Sequence, residues 1–140
     1  MRHSRLRRLD VPRRGGHRRT SRCHVRRVPA AVRSHGHLSI AGTVGRRADG
    51  TIPDDIEEQT EIAIGLIAEI LRLEGFDLSA LVDVTSYHVD IHRHLPGFSK
   101  IKAHLINPLY PTWSLIGVSG LVNPGLLVEI RATAAYPDAA

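Results

Sequence analysis

From Val32 onward the apolar residues recur at two distinct spacings. Leu38, Ile40 and Gly42 alternate with His37, Ser39 and Ala41, which predicts a strand running to Val44. Gly45 to Gly50 is a polar stretch containing Asp49-Gly50, a strong hairpin signal, so Thr51-Ile52 is expected as a short return strand. Over Asp55 to Glu74 the spacing becomes helical. Ile56, Thr60, Ala63, Ile67, Ile70 and Leu71 define one face, widened by Ile62, Leu66 and Leu73, while Glu57, Glu61, Gly65, Ala68 and Arg72 fall on the other. Asp54 suits the N-cap with Glu57 completing a capping box, and Gly75 suits the position just past the C-terminal end.

Leu81 to Val89 reads as another strand. A second, shorter helix is expected to begin near Leu95-Pro96, with proline in the first turn where a missing N–H costs little, and to end at Asn107-Pro108. Phe98, Ile101 and Leu105 form its apolar side. In the last third, Trp113, Leu115 and Gly117 alternate along one segment and Leu127, Glu129 and Arg131 along the next. Val122-Asn123-Pro124-Gly125 lies between them as a turn signal, so a β-hairpin is expected there. The order β-β-α-β-α-β-β predicts a two-layer α+β domain with both helices on one face of a single sheet. Apolar residues also occupy the alternate positions of several strands, so the other sheet face calls for cover, most simply by association of sheets.

Charge changes this picture at one end of the chain. Residues 1–35 hold twelve arginines and one acid, Asp10, a balance of +11. Residues 36–140 hold seven Lys or Arg against thirteen Asp or Glu, a balance of −6, which together give the chain's net +5. The basic pI of about 10.1 therefore describes residues 1–28, expected as a disordered arm, and not the domain expected over 29–140. Such an arm fits gripping of phosphate backbones, an organelle transit peptide, or an extension without a role. The single cysteine, Cys23, fits a reducing compartment. No apolar run approaches the ~18 residues of a membrane span, so the protein is expected to be soluble and cytoplasmic, with no membrane partner.

Several segments, taken in order, point to a family. They are Val32-Arg33-Ser34-His35-Gly36-His37-Leu38-Ser39-Ile40-Ala41-Gly42-Thr43-Val44, then Asp49-Gly50-Thr51-Ile52, Glu58-Gln59-Thr60 and Val84-Thr85-Ser86-Tyr87. They close on a loop of the form Pro111-x-x-Ser114, then Val118-x-x-Leu121 and Leu127-Val128-Glu129-Ile130-x-Ala132. Over roughly residues 28–135 this order resembles the RidA/YjgF family of reactive-imine deaminases. The resemblance implies a chorismate-mutase-like fold assembled as a homotrimer, with small metabolites bound in clefts between subunits. It also implies a glutamate on the last strand that positions water against an imine carbon, and an arginine at the start of the penultimate strand that holds the substrate carboxylate.

By position the glutamate is Glu129, the candidate catalytic residue, but the arginine's place is taken by Trp113. An indole offers one N–H and no charge, so it cannot replace a bidentate guanidinium. Val28 stands where deaminase members usually carry a tyrosine lining the cleft. Gly42 matches a position whose backbone approaches ligands, and Ser114 joins Trp113, Gly42 and Val28 as candidate ligand-binding residues. Trp113 reads either as the floor of a pocket for a flat ligand or as packing. Glu129 reads either as a water-handling group or as the partner of Arg131 or Arg33. His88, His92 and His94 lack a companion cysteine or a firmly placed carboxylate, so neither a metal site nor a cofactor is expected.

The functional expectation is hydrolysis of a small imine or enamine that is not anchored through a carboxylate. A rival is a non-catalytic trimer that binds a small metabolite in the same cleft. RNA binding or cleavage is weaker, since the domain's own charge is negative and only the arm suits phosphates. A cation from elsewhere, such as Arg33, Lys100 or Arg131, could also take the missing arginine's part.

Overall fold

The computed structural model describes residues 7–9 and 30–137. Its strands are β1 (Arg7–Leu9), β2 (Ala31–Ser34), β3 (His37–Val44), β4 (Leu81–Val89), β5 (Thr112–Val118) and β6 (Val128–Ala135). Its helices are α1 (Ile56–Leu73) and α2 (Ile91–Leu105). A mixed five-stranded sheet, ordered β2-β3-β6-β4-β5, is extended at the β2 edge by the three-residue β1. Both helices lie on one face, giving the expected two-layer α+β fold. Apart from Arg7–Leu9, the arm expected over residues 1–28 lies outside the described residues, as does Val28.

The first hairpin forms one turn earlier than the Asp49-Gly50 signal suggests. Chain reversal occurs at His35-Gly36, both at positive φ (49° and 78°), and joins β2 to β3. Thr51-Ile52 is not a strand, because β2 and β6 already occupy both edges of β3. The segment instead closes a local loop, with Arg47 N–H bonded to Thr51 O at 2.9 Å and the Asp49 carboxylate accepting from Thr51.

Helix α1 is capped by Asp55 rather than Asp54. Asp55 has extended backbone geometry, and its two carboxylate oxygens accept from the N–H groups of Glu57 and Glu58, both at 3.2 Å. Gly75 follows the helix at φ +83°, as expected. The buried stripe is rotated slightly from the one anticipated, since Gln59 and Ile64 are buried while Leu66 and Leu73 remain exposed. Gln59 is a tie between elements: its Nε2 donates to Pro53 O and Gly125 O, and its Oε1 accepts from Leu127 N–H, all at 2.8 Å. Helix α2 begins earlier than expected, directly after Asp90 at φ +49°. Pro96 therefore falls in its second turn, where the lost N–H still lies near the helix start.

The largest difference concerns the last two strands, which do not form a hairpin. The turn at Asn123 to Leu126 exists, with Leu126 N–H 3.3 Å from Asn123 O, but β4 lies between β5 and β6. The reason is a crossover. Helix α2 carries the chain back so that β5 pairs in parallel with β4, and β6 then crosses the end of β4 to insert antiparallel between β3 and β4. The core packs between β6, β3 and β4 on one side and Ile56, Ala63, Ile64, Ile67, Ile70, Leu71 and Phe98 on the other.

Candidate functional site

β6 is central, and its alternation divides its residues between two environments. Val128, Ile130, Ala132 and Ala134 are buried under the helices, whereas Glu129, Arg131 and Thr133 project from the face that neither helix covers. The register places Glu129 beside Tyr87 of β4 and Val44 of β3. Cross-strand neighbours such as these bring their side chains within ~5 Å.

Gly42 completes the immediate surroundings of Glu129. The β3–β6 register shifts between Ile40 and Thr43, so Gly42 sits on a bulge that turns it toward the carboxylate. A Cβ added there would stand 2.8 Å from Glu129 Cδ and 2.9 Å from its Oε1. The structure therefore brings Gly42 and Glu129 together. The carboxylate is half-buried and makes no hydrogen bond or ion pair among the described residues. The ion pairs with Arg33 or Arg131 are not formed.

One row along the same face lie Arg131, Thr85 and Ser114, aligned by the β6–β4 and β4–β5 registers. Ser114 thus shares the face of Glu129, one row on and two strands away.

Trp113 does not. It pairs with Val84 and points to the helix side, where its Nε1–H donates to Ser86 Oγ at 2.9 Å and its ring lies 6.1 Å from that of Phe98. Lys102 Nζ stands 4.7 Å above the indole. Within one chain Trp113 is packing, and the sheet separates it from Glu129.

Ser86 also lies 2.7 Å from Nε2 of His88, which is fully buried against Phe98 at 4.5 Å between ring centroids. Burial pushes the His88 pKa down, and its Nδ1 has no partner among the described residues. His92 and His94 stand on α2. His88 thus belongs to the core between sheet and helix.

Tyr87 was not singled out from the sequence. Its alternation along β4 was legible, but its place beside Glu129 depends on the β4–β6 pairing, which the expected hairpin concealed. Two of the clefts among the described residues adjoin the helices. One of about 410 Å³, between the ends of α1 and α2, is lined by Arg72, Leu78 and Asn107 and contains none of the candidate residues. The other, about 240 Å³ and almost wholly apolar, reaches Gly42 from the helix side between Ala30, Leu66 and Ile70.

The two-layer mixed sheet, with a glutamate and a glycine bulge meeting on its uncovered face, defines a chorismate-mutase-like protein of the kind expected. Residues 24–136 match the family model described as Endoribonuclease L-PSP. YjgH of Escherichia coli, a RutC family protein, is 33% identical over 113 residues, which cover 80% of this chain and 85% of that protein. The mitochondrial protein mmf2 of Schizosaccharomyces pombe is 31% identical over 106 residues, covering 75% of this chain and 84% of mmf2. A solved structure of YjgH superposes with a TM-score of 0.77 at 32% identity, covering 94% of this chain and 98% of that one. Rv2704 of Mycobacterium tuberculosis, from the YjgF/YER057c/UK114 family, gives a TM-score of 0.74 at 28% identity over 94% and 99%. The chain belongs to the RidA/YjgF superfamily.

Proposed function

We propose that this protein hydrolyses a small imine or enamine-type metabolite at Glu129, in a cleft completed by a neighbouring subunit of a homotrimer. The observation that carries this reading is the half-buried Glu129 carboxylate beside the Gly42 bulge, without a hydrogen-bond or ion-pair partner among the described residues. A carboxylate in that state can accept a proton from water and aim its oxygen at an electrophilic carbon. The O–H of water adds across the C=N bond to give a carbinolamine. The C–N bond then breaks with proton transfer to nitrogen, releasing a carbonyl compound and ammonia. Gly42 leaves the Glu129 carboxylate the room a side chain would take.

Assembly is supported by the uncovered sheet face, where Val32, Val44, Val89, Ile116 and Val118 alternate with polar residues. The family model's description raises RNA as a rival substrate. Against it stands the −6 balance of residues 36–140, which repels a polyanion from the domain and leaves only the arginines of residues 1–35 to attract one.

The test is an imine-hydrolysis assay on the full chain, with imines generated in situ, beside Glu129→Gln. Glutamine keeps the shape and removes the base, so turnover is expected to fall by about 100-fold or more, within the usual range for acid–base groups. Turnover that survives unchanged overturns the reading. Ligand binding without turnover in the unaltered protein would favour the non-catalytic trimer.

A further inference from the structure

Resting on the reading of Glu129 as the water-positioning group, we infer that Gln59 of α1 is a positioning residue for the same reaction. Its buried amide fixes the two backbone segments that flank Glu129, and so the aim of the carboxylate beside Gly42.

Gln59 is wholly buried, yet its amide is matched to its surroundings. A glutamine amide offers two N–H donors and a carbonyl acceptor. Here the donors go to Pro53 O and Gly125 O and the acceptor takes Leu127 N–H, all at 2.8 Å. The last of these bonds is the one nearest the site. Leu127 stands two residues before Glu129, and its own carbonyl accepts from Val89 N–H at 3.0 Å. β6 therefore enters the sheet held by α1 through one backbone group and by the end of β4 through the other.

The strand beside Glu129 rests on the same residue. Val44 of β3 pairs with Glu129, and Gly45 follows it. A Cβ on Gly45 would stand 2.4 Å from Gln59 Cα and Cβ and 2.7 Å from its Cγ. Gly45 does not have a positive φ, so close approach, and not backbone conformation, calls for glycine there. Thr43, next to Gly42, repeats the tie one turn along α1: its Oγ1 lies 3.0 Å from Ala63 O and 3.1 Å from Ile130 O. Helix α1 thus grips β3 and β6 on both sides of the Val44–Glu129 pair. The helix layer sets the geometry of the opposite face through the backbone. A methionine of similar length would fill the space of Gln59, but the amide adds a fixed distance between α1 and the two strands. A displacement of about 1 Å in a catalytic site can cost about 100-fold in rate.

The experiment measures kcat and KM of the full chain with an imine generated in situ, each rate divided by the folded fraction from circular dichroism. Gln59→Met removes all three hydrogen bonds. Thr60→Val is the control, since Thr60 is equally buried and its hydroxyl donates within the helix, to Ile56 O at 2.7 Å. Gln59→Met is expected to lower kcat about 10- to 100-fold with KM within about twofold, and Thr60→Val to leave both within about twofold. An unchanged kcat in Gln59→Met, while Glu129→Gln still abolishes turnover, overturns the role of Gln59 alone. An equal fall in Thr60→Val, or a rise in KM as large as the fall in kcat, also overturns it, because general disturbance of the fold would then be the cause. If Gln59→Met does not fold, Gln59→Glu decides. Its protonated acid still accepts from Leu127 and donates to one carbonyl, whereas its ionised form faces two carbonyl oxygens, so kcat relative to the unaltered protein should fall from about pH 5 to about pH 8. A ratio that stays flat overturns the assignment. If Glu129→Gln has no effect, the hydrolase reading fails, and amide hydrogen exchange decides the positioning. Exchange at Glu129 about 10-fold faster in Gln59→Met and unchanged in Thr60→Val upholds it, and equal exchange overturns it.

Discussion

The two faces of the sheet obey different rules although the same strands build both. On the helix side of β6, Val128, Ile130, Ala132 and Ala134 are at most 4% exposed, and the polar groups of β4 there, Ser86 and His88, are buried with them. On the other side, Glu129 and Arg131 have no hydrogen-bond or ion-pair partner among the described residues and lie next to a bulge where a side chain would displace the carboxylate. A single alternating segment thus carries stability on one parity and chemistry on the other. Substitutions on the two faces should be separable by measurement.

The sharpest break should come from Phe98→Ala. Phe98 is fully buried and meets both His88 and Trp113 edge to face. Truncation removes a large apolar side chain from between α2 and the sheet and should cost about 3–5 kcal/mol. Denaturant unfolding measures this loss. A cost below about 1 kcal/mol would mean that α2 collapses freely onto the sheet and that the helix side is not the rigid layer described.

A smaller effect should follow pH, again on the helix side. His88 meets Ser86 and Phe98, with Trp113 and Lys102 beyond them and no carboxylate among these neighbours. Burial lowers its pKa below the ordinary 6.5. The unfolded chain therefore takes up a proton near 6.5, and the folded chain only at lower pH. Stability from burying neutral His88 is full above about 6.5 and declines as pH falls below it, by at most ~1.4 kcal/mol per pH unit. Asp49 and Asp77, held below their ordinary 3.8 by the hydroxyls of Thr51 and Ser79, lose their contributions only in a lower window. Thermal unfolding from pH 7.5 to 5 should show the first decline, and His88→Leu should flatten it. A decline that persists in His88→Leu belongs to another group.

How far the sequence foretold these two faces depends on which interactions are local. Helix α1, its glycine stop and the strand Leu81–Val89 follow from residues within one or two turns of each other, and they were legible. Strand neighbours were not. Asn123-Pro124-Gly125 does make a turn, but nothing in that tripeptide reveals that β4 will pass between the strands on either side of it. The same gap explains the site. Glu129 and Gly42 were found through resemblance to a family motif, and the structure joins them through the β3–β6 register. Trp113 occupied the right place in the motif but lies behind the sheet. Tyr87 closes the Val84-Thr85-Ser86-Tyr87 segment, and its place beside Glu129 rests on a pairing partner more than forty positions away.

The smallest change in stability, and the cleanest separation of the faces, should come from Gly42→Ala. Gly42 does not have a positive φ, so alanine can adopt its backbone without strain. The three atoms nearest the added methyl all belong to Glu129, at 2.8 Å for Cδ and 2.9 Å for Cγ and Oε1. Glu129 makes no hydrogen bond or ion pair among the described residues, so its carboxylate can swing aside at little cost. Unfolding free energy should therefore change by less than about 1 kcal/mol, as for surface substitutions without lost contacts. Imine turnover should fall by about 10-fold or more, because a displaced carboxylate no longer aims water at the reacting carbon. The reverse pattern, a large loss of stability with turnover intact, would place Gly42 with the core-facing residues and remove the bulge from the site.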